Sequence, residues 1–320
     1  MKDKNQTIKI LLLIAVGILC LRFVTLWPDT YADWPEFLPV LGIVGIVYLW
    51  TRRNMGRLSA VTSIALLATM PLFVIGTGRW TTEPFMILSA LIAMVSFYNA
   101  LLVPEARDNI PTTKHKYDDD GNIIMQLSRR PYWMSTAGYV FFLAIAAGIF
   151  VSGPVFAILI VAPLLIWTAW MRKWKTVAHQ IPWFDGAVIM TTLFALAYFY
   201  APGLLPPLSF GIGATWWTLI YTELMILPWV IWIIYKLFDA KFRAKLPLKL
   251  NEFKSYLLTF AGMGLLFFTL FGQAMAGAMF VVILLSILLS EIEIDRRIAQ
   301  GLAGLAAAML IASVIWPVAL

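Results

Sequence analysis

The stretch PFMILSALIAMVSFYNALLV, residues 84–103, contains no charged side chain. Its length matches the roughly 20 apolar residues that a helix needs to cross a bilayer core about 30 Å thick. Comparable apolar runs recur from Ile8 to the C-terminus, separated by short polar segments. This repetition predicts a chain that crosses a membrane many times.

The composition agrees with that prediction. Hydrophobic residues make up 61% of the chain, charged residues only 13%, and the mean hydropathy is +0.84. A soluble domain is about half apolar and about a quarter charged. The composition therefore predicts an all-α polytopic membrane protein in which residues 1–320 form a single transmembrane domain, with little chain left for a soluble domain.

The apolar runs and the polar punctuation between them predict about 11 transmembrane helices. The predicted spans are 9–27, 37–51, 58–77, 84–103, 133–151, 154–171, 183–201, 216–236, 255–272, 274–290 and 298–317. The runs at 37–51 and 154–171 are short and need flanking residues to cross the bilayer. The first run resembles a signal peptide, but Trp27-Pro28 is no small-residue cleavage site, so we expect a retained anchor.

The distribution of Lys and Arg predicts the orientation. With a cytoplasmic N-terminus and an extracytoplasmic C-terminus, all of the 24 Lys and Arg residues except Arg22 and Arg79 fall in cytoplasmic segments. Because these cations are spread over separate loops, we read the net charge of +7 as a topology signal with membrane lipid contact. Nucleic acid is not an expected partner.

Two cytoplasmic segments stand out by their polarity. Residues 104–132 form the longest polar loop, and its Asp118–Gly121 stretch is typical of a solvated turn rather than a metal or sugar-nucleotide site. Residues 237–254 alternate basic and apolar side chains in the manner of an interfacial amphipathic connector. Neither segment is expected to carry chemistry.

The outer face is acidic by contrast, since it carries Asp29, Asp33, Glu36, Glu83 and Glu223. For Asp33 and Glu36, simple solvation of a short loop explains the acidic side chains about as well as a functional role does. Asp29, Glu83 and Glu223 lie at the ends of predicted spans, where a carboxylate needs a partner or a wet cavity and a functional site is the default hypothesis.

The sequence lacks the signature motifs of several common mechanisms. The chain has no P-loop, GxSxG or HExxH motif, which argues against ATP-driven transport and the commoner hydrolases. Cys20 is the only cysteine, so no intrachain disulfide can form. His115 and His179 fall in cytoplasmic segments, away from the acidic face, so a histidine-based metal site is not expected.

The order of several motifs resembles the GT-C class of membrane glycosyltransferases, of the aminoarabinose-transferase and protein-mannosyltransferase type. PDTYAD at 28–33 resembles the first-loop DE-x-x-YA signature, and Met70–Phe73 with Glu83–Met86 resembles the SPLF segment and its acidic outer loop. AAGIFVSGP resembles the GFLTKGP hairpin, ATWWTLIYTELMILPW the PFWYYLP segment, and LLFFTLFGQAMAG the LFFSLSKNKLPHY pair.

The chain also departs from that pattern. Thr30 stands where the signature has its glutamate, Ser152 replaces the lysine of TKGP, and Gln273–Gly277 replaces KLPHY. The long outer segment that follows the first loop and the soluble outer domain are both missing. The resemblance therefore implies a trimmed scaffold.

The resemblance implies transfer of a sugar from a polyprenyl-phosphate carrier to a lipid or glycan acceptor at the outer membrane face. The residue types suit that chemistry, because a carboxylate can act as general base and a guanidinium can bind a phosphate through two hydrogen bonds. We expect Asp29 and Glu83 in the first role and Arg79 and Arg22 in the second. The remaining expected substrate contacts are Glu223, Trp216, Trp217 and Gln273.

Three further points stay open. Asp29 and Glu83 could hold a divalent metal, but two carboxylates give no specific signal, and the cofactor is unassigned. A non-catalytic relative that binds a lipid carrier, or assembles with a membrane protein partner, accounts for the departures at Thr30, Ser152 and Gln273. A lipid or small-molecule transporter would need charges lining a path and an inverted repeat, neither of which is clear.

Overall fold

The computed structural model describes residues 34–68, 83–108, 116–117, 123–124, 136–200, 252–270 and 274–290. Apart from one pair of two-residue strands, the elements in these ranges are helices. They are α1 (Trp34–Met55), α2 (Arg57–Ala68), α3 (Glu83–Asp108), α4 (Thr136–Ser152), α5 (Val155–Trp170), α6 (Trp174–Gln180), α7 (Trp183–Tyr200), α8 (Glu252–Leu270) and α9 (Ala274–Leu289). The all-α prediction is confirmed for the described residues.

Every one of these helices except α6 coincides with a predicted span. The short run at 37–51 lies within α1, which begins earlier and ends later than the run. By length and composition, Pro84–Leu101 and Trp183–Tyr200 could cross a membrane, and several shorter described helices are also apolar. The predicted spans 9–27, 216–236 and 298–317 lie outside the described residues.

The loop predicted at 104–132 differs in two ways from expectation. Helix α3 continues past Pro104 to Asp108, so the loop begins later than the sequence suggested. Strands β1 (Lys116–Tyr117) and β2 (Ile123–Ile124) then pair in antiparallel fashion. The acidic Asp118–Gly121 stretch lies between these strands and outside the described residues, as does most of the predicted connector at 237–254.

Glycine makes two of the helix connections tight. Gly56 between α1 and α2 has φ of 95°, and Gly153 between α4 and α5 has φ of 84°. These left-handed conformations suit glycine because it lacks a Cβ atom. The Gly153 N–H donates to the Ile149 carbonyl at 2.8 Å, and Pro154 then begins the next helical segment. Each pair of helices thus folds back on itself.

Helix α3 lies at the centre of the bundle. It packs against α1 and α4 most extensively, and also against α5, α6 and α9. Its Ile87, Leu91, Met94 and Phe97 side chains are almost fully buried in the same core that α1, α4, α5, α8 and α9 line. The segment that most resembles a membrane span is therefore mostly enclosed by protein.

Ring contacts fix the relative directions of four helices. Trp50, close to the end of α1, contacts Tyr98 in the second half of α3 and Phe253 in the first turn of α8. Trp167, close to the end of α5, contacts Tyr256 near the start of α8. Helices α1, α3 and α5 consequently end on the side of the bundle where α8 begins.

Further contacts place the remaining helices. The Ser290 hydroxyl after α9 lies 3.9 Å from the Met55 sulfur at the end of α1. The Tyr139 hydroxyl of α4 donates to Asp185 of α7 at 2.9 Å, and the rings of Phe150 and Phe194 meet further along the same two helices. Helices α4 and α7 therefore run parallel, away from the side where α1, α3, α5 and α9 end.

We call one end of the bundle the basic end. It is the end where α1, α3, α5 and α9 finish and where α2, α4, α6, α7 and α8 begin. The Lys and Arg residues within the described helices and their tight turns all lie there: Arg52, Arg53, Arg57, Arg107, Arg172, Lys173, Lys175 and Lys254. The first turns of α1 and α3, with Glu36 and Glu83, lie at the opposite end.

Gly148 sets the closeness of α4 and α5. A Cβ atom at Gly148 would lie 2.1 Å from Cε1 of Phe156, whose ring is fully buried. We expect Gly148→Ala to lower the free energy of unfolding by about 1–3 kcal/mol, the usual cost of overpacking a core. The midpoint of thermal unfolding of the purified protein measures this.

Gly262→Ala in α8 is the matched control, because nothing lies within 4 Å of the position a Cβ would take. Alanine is favoured over glycine within a helix by up to about 1 kcal/mol, so this variant should be neutral or more stable. Equal losses of stability in the two variants would contradict the close α4–α5 contact.

Candidate functional site

Most of the residues expected to form a site lie outside the described residues. These are Asp29, Arg22, Arg79, Glu223, Trp216, Trp217 and Gln273. Glu83 is the first residue of α3, at the end of the bundle opposite the basic end. The first turn of α1, with Glu36, lies at that same end. The expected pairing of Asp29 with Glu83 stays a prediction.

In the described ranges, no group of three or more His, Cys, Asp and Glu residues is placed to hold a metal ion. The acidic side chains that the structure does describe have other partners. Asp185 accepts from Tyr139, and Glu252 pairs with Lys173. A metal shared by Asp29 and Glu83 therefore rests on the sequence alone.

The best-defined polar and aromatic arrangement lies at the basic end. The inner aromatic cluster consists of Trp50, Tyr98, Trp167, Phe253 and Tyr256. Trp50 meets Phe253 edge to face with centroids 5.1 Å apart, and Trp167 meets Tyr256 in the same way at 5.1 Å. Tyr98 contacts Tyr256 at 5.2 Å. Such pairs add about 0.5–1.5 kcal/mol each beyond the area they bury.

Three hydrogen bonds orient this cluster. The buried Tyr256 hydroxyl donates to the backbone carbonyl of Met94 in α3 at 2.9 Å. The indole N–H of Trp167 donates to the Ser255 hydroxyl at 3.2 Å, and that hydroxyl donates to the Glu252 carbonyl at 2.9 Å. The buried phenol of Tyr256 and the indole of Trp167 are thus paired, as a water-poor interior favours.

An ion pair lies on the solvent-exposed side of the cluster. Lys173, just after α5, pairs with Glu252 at the start of α8. Both side chains remain partly exposed, so solvent screens their attraction and the pair contributes at most about 1 kcal/mol. Its main effect is to hold the exit of α5 beside the first turn of α8.

Among the residues that the structure describes, several buried polar atoms in or near the cluster have no hydrogen-bond partner. They are Nε1 of Trp50, Oγ1 of Thr51, Oδ1 of Asn99 and, further away on α6, Oε1 of Gln180. An unpaired buried group costs about 1–3 kcal/mol. The cluster contains no carboxylate, imidazole or thiol, so its residue types suit packing and orientation rather than acid–base or nucleophilic catalysis.

The Trp residues near the helix ends fall into two groups. Trp and Tyr residues near the ends of membrane spans typically form an exposed aromatic belt at the membrane boundary. Trp50 and Trp167 are instead only 3% and 1% exposed and belong to the core. Trp170, Trp174 and Trp183 are exposed. The sequence alone contains no signal that separates these two groups, because all five occur next to basic residues or helix ends.

The chain matches no known protein family, no curated protein and no solved structure. The GT-C resemblance therefore rests on the quoted motifs and their order. Any assignment of function has to be argued from residue types, their placement at the two ends of the bundle, and the exposure of the helices.

The Tyr256 hydroxyl allows a direct test of the cluster. We expect Tyr256→Phe to lower the free energy of unfolding by about 1 kcal/mol, because the bond to the Met94 carbonyl is lost while the ring contacts remain. Thermal unfolding in detergent measures the change. Tyr198→Phe is the control, since Tyr198 on α7 is largely exposed and should tolerate the change. A Tyr256→Phe variant as stable as the parent would show that the bond adds nothing.

Proposed function

We propose that this chain is a multi-pass membrane protein whose basic end faces the cytoplasm. The observation that carries this proposal is the exposure of α7. Only 6% of the residues in Trp183–Tyr200 are buried, whereas 72% of those in Pro84–Leu101 are. An apolar helix that is neither enclosed by protein nor at the N-terminus is typical of a helix that faces lipid.

The exposed side chains of α7 are large. Phe184 is 80% exposed, Phe199 is 77% exposed, and Val188 and Leu196 are each about half exposed. Leaving apolar surface in water costs about 25 cal/mol per Å², so a helix of this kind is unfavourable on a soluble protein. Acyl chains remove that cost without any protein partner.

The charges of the described helices support the same placement. All their Lys and Arg residues lie at the basic end, and cations next to spans favour the cytoplasmic side. Helices α7 and α8 both lead away from this end, and the predicted span 216–236 lies between them in the chain. The alternation of directions is thus compatible with a cytoplasmic N-terminus and an extracytoplasmic C-terminus.

The orientation has a direct test. Reporter fusions after Asp119 should be active in the cytoplasm, whereas fusions after Gly203 and Leu320 should be active outside. The physical reason is that Asp119 belongs to the predicted cytoplasmic loop 104–132, while α7 leads away from the basic end and Gly203 follows it in the chain. If the fusions after Asp119 and Gly203 were active on the same side of the membrane, a membrane-crossing α7 would be contradicted. If the fusion after Leu320 were active in the cytoplasm, the odd number of spans would be contradicted.

The proposed activity is transfer of a sugar from a polyprenyl-phosphate carrier to a lipid or glycan acceptor on the outer face. It is supported by the GT-C-like order of motifs and by the position of Glu83 at the end opposite the cations. That end would meet the outer membrane boundary, where the head group of a carrier lies. Asp29 and Glu83 would supply the base, and Arg79 and Arg22 the phosphate contacts.

The other proposed contacts follow from residue type. Trp216 and Trp217 would form an apolar wall, and Glu223 and Gln273 would offer hydrogen bonds to the sugar or acceptor. No cofactor is assigned. A divalent metal between Asp29 and Glu83 is an alternative to simple base catalysis, and metal-dependent turnover would support it.

A second candidate function is favoured by Ser152. This residue occupies the position of the family's TKGP lysine, and its hydroxyl donates to the Gly148 carbonyl of its own helix at 2.9 Å. A hydroxyl used in this way replaces no cation. The alternative is therefore a non-catalytic subunit that binds a lipid carrier or assembles with a membrane partner, and a transporter is the third candidate.

Asp29 separates the first candidate from the others. In proteoliposomes supplied with a panel of polyprenyl-phosphate-linked sugars, we expect Asp29→Asn to lower the rate of transfer by a factor of about 100 or more, the lower end for loss of a general base. The change preserves shape and removes charge, so folding should be unaffected. Asp33→Asn is the matched control and should keep full activity. Transfer by Asp29→Asn at the parent rate, or no transfer by the parent, would favour the non-catalytic subunit.

A further inference from the structure

The turn from α5 through α6 to the start of α7 has an unusual surface at the basic end. We name it the basic–aromatic surface and define it by its exposed side chains: Trp170, Arg172, Trp174, Lys175, Trp183 and Phe184. Helix α6 anchors this segment by burying Val177 and the following Ile181. Trp183 is held in turn by a hydrogen bond from its indole N–H to the Val177 carbonyl at 3.2 Å.

Two cations of this surface have no acidic partner among the described residues. Lys173 is paired with Glu252, but Arg172 and Lys175 form no ion pair with any residue that the structure describes. The nearby Asp185 accepts from Tyr139 instead. The surface therefore presents two cations that are not paired with a described carboxylate, in a segment that also exposes three indole rings.

Arg172 adds a second, independent observation. Its φ is 55°, and it is the only described residue other than glycine with a positive φ. It follows the end of α5, where glycine is the usual residue because a side chain makes this conformation unfavourable. An exposed arginine held in such a conformation is a reason to look for a role of its side chain.

We propose that the basic–aromatic surface binds the head-group phosphate of anionic phospholipids in the cytoplasmic leaflet. Tryptophan rings favour the depth of the head groups, and cations next to them favour anionic lipids. The surface is also continuous with the exposed apolar side of α7, which begins at Trp183 and Phe184. A lipid molecule can satisfy both parts at once, with its phosphate on the cations and its acyl chains along α7.

An acidic soluble protein or a nucleic acid could match the charges, but it would leave the adjoining apolar surface of α7 without a partner. The inference rests on the proposed membrane placement and concerns the face opposite the proposed transfer site. A failure to detect sugar transfer would not affect the proposed lipid binding. The reporter fusions after Asp119 and Gly203 test the membrane placement separately.

The test uses the full-length protein in detergent micelles, with bound lipid counted by native mass spectrometry during titration with phosphatidylglycerol or phosphatidylcholine. We expect the parent to prefer phosphatidylglycerol. The double variant Arg172→Gln, Lys175→Gln should lose affinity for it about 30-fold at low salt, the effect of two cations near an anionic lipid. The preference should weaken as ionic strength rises.

The matched control is Arg52→Gln, Arg53→Gln. It removes two exposed cations from the same end of the bundle but from outside the basic–aromatic surface. This control should bind phosphatidylglycerol like the parent. Equal losses in the two double variants would overturn a defined site in favour of general charge attraction, and an unchanged affinity in the Arg172, Lys175 variant would overturn it outright.

The variant Arg172→Gly separates loss of the arginine side chain from loss of folding stability. Glycine suits φ of 55°, so the thermal midpoint should stay level or rise while the phosphatidylglycerol preference falls about fivefold. Arg172→Lys should restore the preference because it restores the charge. A stable Arg172→Gly variant with parental lipid preference would refute the role assigned to the side chain.

Discussion

The ring of Tyr256 lies where several helices of the bundle meet, and the arrangement of the basic end depends on it. Its hydroxyl donates to the Met94 carbonyl of α3, while its ring contacts Trp50 of α1 and Trp167 of α5. A fully buried phenol needs a hydrogen-bond acceptor, and a backbone carbonyl on the central helix provides one. Tyr256 thus ties α8 to helices that are distant in sequence.

The same cluster links the core to the outer surface of the basic end. Trp167 bonds to Ser255, and only a few residues later Lys173 pairs with Glu252. The exit of α5 is therefore held at two points against the first turn of α8. From that fixed exit the chain enters the α5–α7 turn, so the positions of Arg172 and Lys175 follow from packing inside the bundle.

Helices α3 and α7 show how one composition serves two environments. Both are long enough and apolar enough to cross a membrane. Helix α3 has neighbours on several sides, whereas α7 packs mainly against α4, where Gly186 lies against the ring of Phe142. The lack of a side chain at Gly186 permits this close contact, and the rest of α7 stays exposed.

For the part of the chain that the structure describes, the residue pattern alone determined the helical class, the positions of the long helices and the concentration of cations at one end of each helical hairpin. Long uncharged runs favour helices, and Gly153-Pro154 marks a turn whatever its neighbours are. For the candidate site, the residue pattern indicated the acidic residues Asp29 and Glu83 but did not determine the distance between them. Only the tertiary structure decided that Trp50 and Trp167 lie in the core while Trp170 and Trp174 are exposed, and that α3 is enclosed while α7 is not. The physical reason is that these helices are apolar on nearly every side, so periodicity does not distinguish a face that packs against protein from one that stays exposed.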